Sequence, residues 1–167
     1  MKTNEYWIKK LNLLKHPEGG YFREIYRSNE EIDAGNLPPR YGSKRAFSTS
    51  IYYLLNSCEF SAFHRLRSDE IWHFYSGSPL NLFIIYKDGK LLKQVLGNKP
   101  DKNEHLQIII EKGSWFAASV LKTGSFTLMG CTVSPGFDFS DFELANRDEL
   151  LKKYPQYHDI IVKYTLF

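Results

Sequence analysis

The segment FSAFHRLRSDEIWHFYSGSPL, residues 60 to 80, gathers His64, Asp69, Glu70 and His73 within two adjacent strand-like runs. Neighbouring strands lie about 4.8 Å apart, so a hairpin brings an imidazole and a carboxylate close enough to share a proton or a metal ion. On an ideal pleat His64 and Leu66 share one face of the first strand, and Glu70, Trp72 and Phe74 share one face of the second. His73 then points the other way unless a bulge intervenes. The competing assignment makes His64 a hydrogen-bonded core histidine and pairs Glu70 with an arginine such as Arg65 or Arg67.

Three further stretches carry candidate groups. Arg23 and Arg27 fall on one face of YFREIYRS and suit bidentate capture of a carboxylate or phosphate. Asp138 follows the turn Pro135-Gly136, where a carboxylate could enter a pocket with Phe137 as its gate; the favoured reading is that Ser140 and Glu143 form a capping box and the phenylalanines pack. Cys131 lies in an apolar strand and reads as inert core rather than nucleophile. The opening HPEGGYFRE is read as turn chemistry, with Arg23 and Glu24 on opposite faces so that at most one of them faces a pocket.

The elements that must position these groups are short. Trp7, Leu11 and Leu14 at helical spacing behind Thr3 or Asn4 predict an amphipathic helix over residues 3 to 14, and Tyr21 to Ser28 predicts a strand. The polar stretch Asn29 to Lys44, with Pro38 and Pro39, is expected to be a mobile flap. From residue 46 onward, runs such as FSTSIYYLL, LNLFIIY, SWFAASV and SFTLMGCTV alternate with turn signals such as KDGK, GNKPDKN and KTGS. That succession predicts an all-β sandwich or barrel. Asn146 with Glu149 three residues on predicts a C-terminal helix stopped by Pro155.

Composition narrows the function classes. The 167 residues, 43% apolar and 25% charged, fit one domain over 1–167, and the aromatic share of 16% favours strands. A net charge of +3, from 22 basic and 19 acidic residues without a basic stripe, argues against nucleic acid as a partner. No run approaches the roughly 20 apolar residues of a membrane span. With no secretory leader pattern and only two cysteines, Cys58 and Cys131, the chain is expected in the cytoplasm with free thiols.

The spacing His64, Leu66, Glu70, Gly77 resembles the first cupin motif, and longer strings resemble one branch, the cupin-5 or DUF985 family. Those strings are HPEGGYFREIYRS at 16 to 28, STSIYYLL at 48 to 55, SAFHRLRSDEIWHFYSGSPL at 61 to 80, GSWFAA at 113 to 118 and TLMGCTVSPGFDFSDFELA at 127 to 145. The resemblance implies a cupin-type antiparallel jelly-roll β-barrel, flanked by the short N-terminal helix and the C-terminal helical segment, with a pocket inside the barrel. Members look like the metal-free sugar-nucleotide epimerases of the RmlC type and commonly pair as homodimers. Metal cupins use three histidines and a glutamate; here Leu66 and Phe116 stand at two of those positions. The expectation is therefore no cofactor, the alternative being one divalent transition metal on His64 and Glu70 with His73 or Cys131 as a third ligand.

On this reading the chain is a metal-independent isomerase or epimerase acting on a polar or anionic sugar-like small molecule. His64 would be the general base, Glu70 would hold its tautomer, and a tyrosine would be the acid. Tyr21, Tyr26, Tyr52, Tyr53 and Tyr75 all compete for that role, with Tyr53 chosen. Arg23, Arg27, Trp72, His73, Phe116, Cys131 and Asp138 make up the expected substrate-binding set. The alternatives are a binding protein with the same pocket and no chemistry, and a degenerate, dioxygenase-like metal cupin.

Overall fold

In chain order the elements are α1 (Asn4–Lys10), β1 (Leu14–Lys15), β2 (Tyr21–Arg27), β3 (Glu31–Ile32), β4 (Arg45–Ala46), β5 (Thr49–Asn56), β6 (Phe60–Arg65) and β7 (Asp69–Gly77). There follow β8 (Leu80–Ile85), β9 (Leu91–Leu96), β10 (Glu104–His105), β11 (Gln107–Ile110), β12 (Trp115–Val120), β13 (Phe126–Ser134), β14 (Glu143–Leu144), α2 (Arg147–Lys153) and α3 (His158–Lys163). The computed structural model describes residues 2–166.

Two six-stranded sheets face one another, in the orders β1-β2-β5-β13-β7-β11 and β10-β9-β8-β12-β6-β14, and β3 pairs with β4 beside them. All pairings are antiparallel except that of β9 with β10. Consecutive strands pass from sheet to sheet, as β5 to β6 and β6 to β7 do, which makes the fold an all-β jelly roll. Alternation along the strands sends Tyr53, Trp72, Leu82, Ile84, Ile110 and Met129 into the core between the sheets.

The outer faces are covered unequally. Phe63, Phe83 and Trp115 on the second sheet pack beneath Leu150, Tyr154, Ile161 and Tyr164 of the C-terminal helical segment. The cap of α2 forms as its sequence predicts, with the Asn146 side chain accepting the Glu149 N–H at 3.1 Å. The first sheet is covered only at one end, where Trp7, Ile8 and Leu11 lie over Leu54, Phe126 and Leu128.

Three local expectations are corrected. The first helix ends at Lys10 rather than Leu14, because Asn12 turns the chain into the left-handed region (φ 50) and Leu14 enters β1 opposite Phe22. Asn29 to Lys44 is not a wholly free flap: β3 is zipped to β4, and the buried Tyr41 hydroxyl meets Ser68 Oγ at 2.9 Å. The cap after the Pro135-Gly136 turn is Asp138, whose carboxylate accepts the Ser140 N–H at 2.8 Å, so the Ser140 and Glu143 capping box does not form.

Candidate acid-base cavity in the barrel

One end of the barrel interior encloses a cavity of about 200 Å³. Strand alternation supplies its walls: Thr49, Ile51 and Tyr53 from β5, Glu70 and Trp72 from β7, Cys131 and Val133 from β13. Strand β2 contributes Phe22 and Glu24, and a register shift between Glu24 and Tyr26 then turns Arg27 inward instead of Tyr26. The loop before β2 brings His16 and Glu18, and the segment after β13 closes the mouth with Phe137, Asp138, Phe139 and Phe142.

His64 is almost wholly buried, and both ring nitrogens are engaged. Nδ1 lies 2.7 Å from the Ala62 carbonyl and Nε2 lies 3.0 Å from Glu18 Oε2. A carbonyl only accepts, so Nδ1 carries the hydrogen, and the Nε2 contact then needs one proton shared with the Glu18 carboxyl. Burial sets this arrangement: it pushes His64 down to about 4, against the pull of the Ala62 carbonyl, and raises Glu18. Glu18 is held further by Ser61, whose hydroxyl donates to Oε1 at 2.9 Å. Its own N–H donates to His16 Nδ1 at 3.3 Å, and the His16 ring sits edge-on to Phe22 at 4.6 Å.

Across the cavity Glu70 is 7% exposed and its Oε2 has no hydrogen-bond partner among the described residues. Burial first, and the charge of Glu18 second, push its carboxyl up to about 8. Burial thus favours the neutral acid at pH 7, with the Trp72 and Cys131 side chains opposing it. Cys131 beside it is also raised well above the ordinary thiol value by burial, which makes it an inert wall.

The arginine pairing considered for Glu70 is not present. Arg65 forms a bidentate pair with Glu143 at 2.8 and 2.9 Å, and Arg67 donates to the Arg40 carbonyl at 2.9 Å. Nor does Glu70 orient the His64 ring; Glu18 does. Tyr53 faces the cavity, but its hydroxyl donates to the Gly19 carbonyl at 2.8 Å, tying the turn that carries Glu18.

Trp72 lines the cavity, and Phe116 packs behind His64 with ring centroids 4.0 Å apart. Arg27 sits at the mouth in a bidentate pair with Glu24, at 3.0 and 2.7 Å, and donates to the Phe137 carbonyl at 3.1 Å. Asp138 lines the mouth while capping its own turn, and the Ser140 hydrogen bond keeps its carboxyl below the ordinary range. Three of the expected residues are outside the cavity lining: Phe116, which sits behind His64, and two on more distant surfaces. Arg23 reaches the Leu11 carbonyl at 3.1 Å, and His73 projects from the outer face between Thr132 and Gln107. Sequence reasoning missed His16, Glu18, Phe22 and Glu24; the available signal was two titratable side chains flanking Pro17 in a stretch read only as a turn.

The ligand set considered for a transition metal, His64 and Glu70 with His73 or Cys131, is not assembled. Leu66 and Phe116 flank His64 with carbon, His73 points away, and the described residues contain no group of three or more His, Cys, Asp or Glu side chains placed to hold an ion. Such a site needs at least three protein ligands.

Residues 5–145, which include every residue lining this cavity, match the Cupin_5 model, the cupin superfamily (DUF985). The chain belongs to the DUF985 family of cupins. This cupin is 30% identical over 155 residues to the uncharacterized protein YML079W of Saccharomyces cerevisiae, covering 87% of this chain and 76% of the yeast protein. Among solved structures it superposes on protein SO0799 of Shewanella oneidensis with a TM-score of 0.89 at 38% identity, covering 99% and 98% of the two chains. A hypothetical protein from Leishmania major gives 0.89 at 34% identity over 98% and 99%. Oxalate decarboxylase of Bacillus subtilis, at 0.55 and 13% identity over 90% of this cupin and 36% of that chain, shares the fold alone. No helix among the described residues is long and apolar enough to cross a membrane.

Proposed function

We propose that this DUF985 cupin is a metal-independent acid-base enzyme of the isomerase or epimerase type, taking a small polar or anionic substrate into the barrel. One observation carries the reading: the hydrogen-bonded His64-Glu18 pair and Glu70, whose buried Oε2 has no hydrogen-bond partner among the described residues, line the same cavity. The His64-Glu18 pair would take a proton from a carbon acid, the shared proton passing fully onto His64 Nε2 as the abstracted one lands on the Glu18 carboxylate so freed. Glu70, held neutral by burial, would donate to the oxygen on which charge develops. The acid role considered for Tyr53 passes to Glu70, because the tyrosine hydroxyl is committed to Gly19. A volume of about 200 Å³ is below the ~300 to 1,000 Å³ typical of drug-sized sites, so the reacting molecule is compact. Arg27 is the cation at the mouth that would meet an anionic group.

The test is solvent exchange. Wild-type protein in D2O is incubated with a panel of small hydroxy-carbonyl compounds and followed by proton NMR for loss of the signal next to the carbonyl. The expected result is exchange with at least one compound, reduced by ~10² to 10⁴ in His64→Asn while binding persists. Exchange at an undiminished rate in that variant would overturn the proposal. The aromatic frame of Phe22, Trp72, Phe137 and Phe142 favours a second reading, a binding protein with no chemistry. Saturable binding without exchange or product would select it.

A further inference from the structure

A second concavity lies outside the barrel, on the far side of Leu66 and Phe142 from the cavity, with a volume of about 550 Å³. Its walls carry Arg40, Arg65, Arg67, Lys87, Lys112 and Lys153 against two carboxylates, Asp141 and Glu143. These two carboxylates offset little of that charge, since one is committed outside the groove and the other to a single wall arginine. Asp141 is 5% exposed and grips the buried Arg45 through both oxygens, at 2.7 Å each, while Glu143 is held by Arg65. Lys112 has Asp69 at 3.5 Å. Arg40, Lys87 and Lys153 have no carboxylate within ion-pair distance among the described residues, and Arg67 has only the already committed Asp141, at 3.7 Å.

The excess of cations in this one groove exceeds the +3 of the entire chain, so the positive charge of the protein is concentrated here. Crowding like charges costs folding stability and fills no role in the core. Guanidinium forks beside lysines form the donor set that phosphate oxygens satisfy, and the volume suits an organic molecule larger than the phosphate it carries. Arg40 and Arg67 are braced by each other's main chain: Arg40 Nε donates to the Arg67 carbonyl and Arg67 donates to the Arg40 carbonyl, both at 2.9 Å. Their heads are therefore ordered before any ligand arrives.

We infer that this groove is a binding site for a phosphorylated small molecule with a compact organic body, separate from the barrel cavity. The inference does not require the cavity to be catalytic.

The test uses isothermal titration calorimetry of the full-length protein with uridine diphosphate, inorganic pyrophosphate and a single-stranded oligonucleotide at low and at physiological salt. Uridine diphosphate should bind one per chain, more tightly than pyrophosphate, and weaken as salt rises. Arg67→Ala and Lys87→Ala, both exposed positions, should each raise its Kd by about tenfold with an unchanged circular dichroism spectrum, and His64→Asn should leave it unaltered. Absence of saturable binding, affinity unchanged in both groove variants, or binding of the oligonucleotide alone would overturn the inference. Pyrophosphate binding as tightly as the ester would replace the organic ligand with the free anion and overturn that part of it.

Discussion

Glu18 Oε2 stands 3.0 Å from His64 Nε2, with both side chains at least nine-tenths shut off from solvent. The pair joins the turn between β1 and β2 of one sheet to the C-terminal end of β6 in the other. Its one shared proton gives the cavity a base that is uncharged at rest. Glu18→Gln should keep the shape and remove the proton partner, lowering any His64-dependent exchange by at least about tenfold while substrate binding persists. NMR exchange rates with calorimetric affinities check this, and a full rate in Glu18→Gln would show that His64 acts without it.

Glu70 predicts a stability change with pH whose sign is fixed. Its carboxyl is raised from 4.5 to about 8, so between those values the folded chain holds a proton that the unfolded chain has released. Unfolding free energy therefore falls as pH rises through that window and levels off above about 8, by an amount on the order of several kcal/mol at ~1.4 kcal/mol per pH unit. His64 acts in the opposite sense at lower pH: lowered from 6.5 to about 4, it leaves the unfolded chain to take up the proton first as pH drops. In urea unfolding from pH 4 to 9 the two should offset each other between about 4.5 and 6.5 and leave a fall between about 6.5 and 8, which Glu70→Gln should flatten. An unaltered fall in that variant would mean that the folded carboxyl is ionised.

The Arg45-Asp141 pair is the most enclosed ion pair among the described residues, its side chains 2% and 3% exposed. Removing one partner strands a buried charge, so Asp141→Ala should cost ~3 to 5 kcal/mol, a fall in Tm on the order of 10 °C. Calorimetry measures it directly. A shift within 2 °C would mean that water reaches Arg45 when Asp141 is gone.

Gly19 is held at φ +115, and a Cβ there would collide with the Phe60 carbonyl oxygen. Gly19→Ala must therefore displace the turn that presents Glu18, losing stability and His64-dependent activity together. Thermal unfolding alongside the exchange assay tests the linkage; loss of stability with full activity would separate the turn from the site.

The uncovered face of the first sheet exposes Ile109 at 63%, Tyr75 at 50% and Tyr26 at 54%. A homodimer formed across this face would bury them. Analytical ultracentrifugation at micromolar concentration should find a dimer for the wild type and a monomer for Ile109→Asp. A monomeric wild type would refute the pairing.

The strands, the capped helix α2, and the shared face of Glu70 and Trp72 belong to information carried within a few residues, whereas which face of β5 turns inward, and with it Tyr53, does not. Two-residue alternation, turn glycines and cap spacing act locally, and the motif strings placed the chain among the cupins before any contact was known. Parity fails where a strand is irregular. The register shift between Glu24 and Tyr26 moves Arg27 into the cavity mouth, and the outward side of β2 takes Arg23 away from it. The partner of His64 was equally hidden. Glu18 and His64 are brought together by packing of the turn against β6 and by the Tyr53 hydroxyl on Gly19, contacts between residues far apart in sequence. The unpaired state of Glu70 was also undecided, because Arg65 and Arg67 had carboxylates and carbonyls elsewhere to choose. Local periodicity thus determined which strands form and which groups they carry. Which polar groups share a proton, and which are left without a partner, was decided only by the long-range closure of the two sheets, since burial and pairing are properties of the assembled interior.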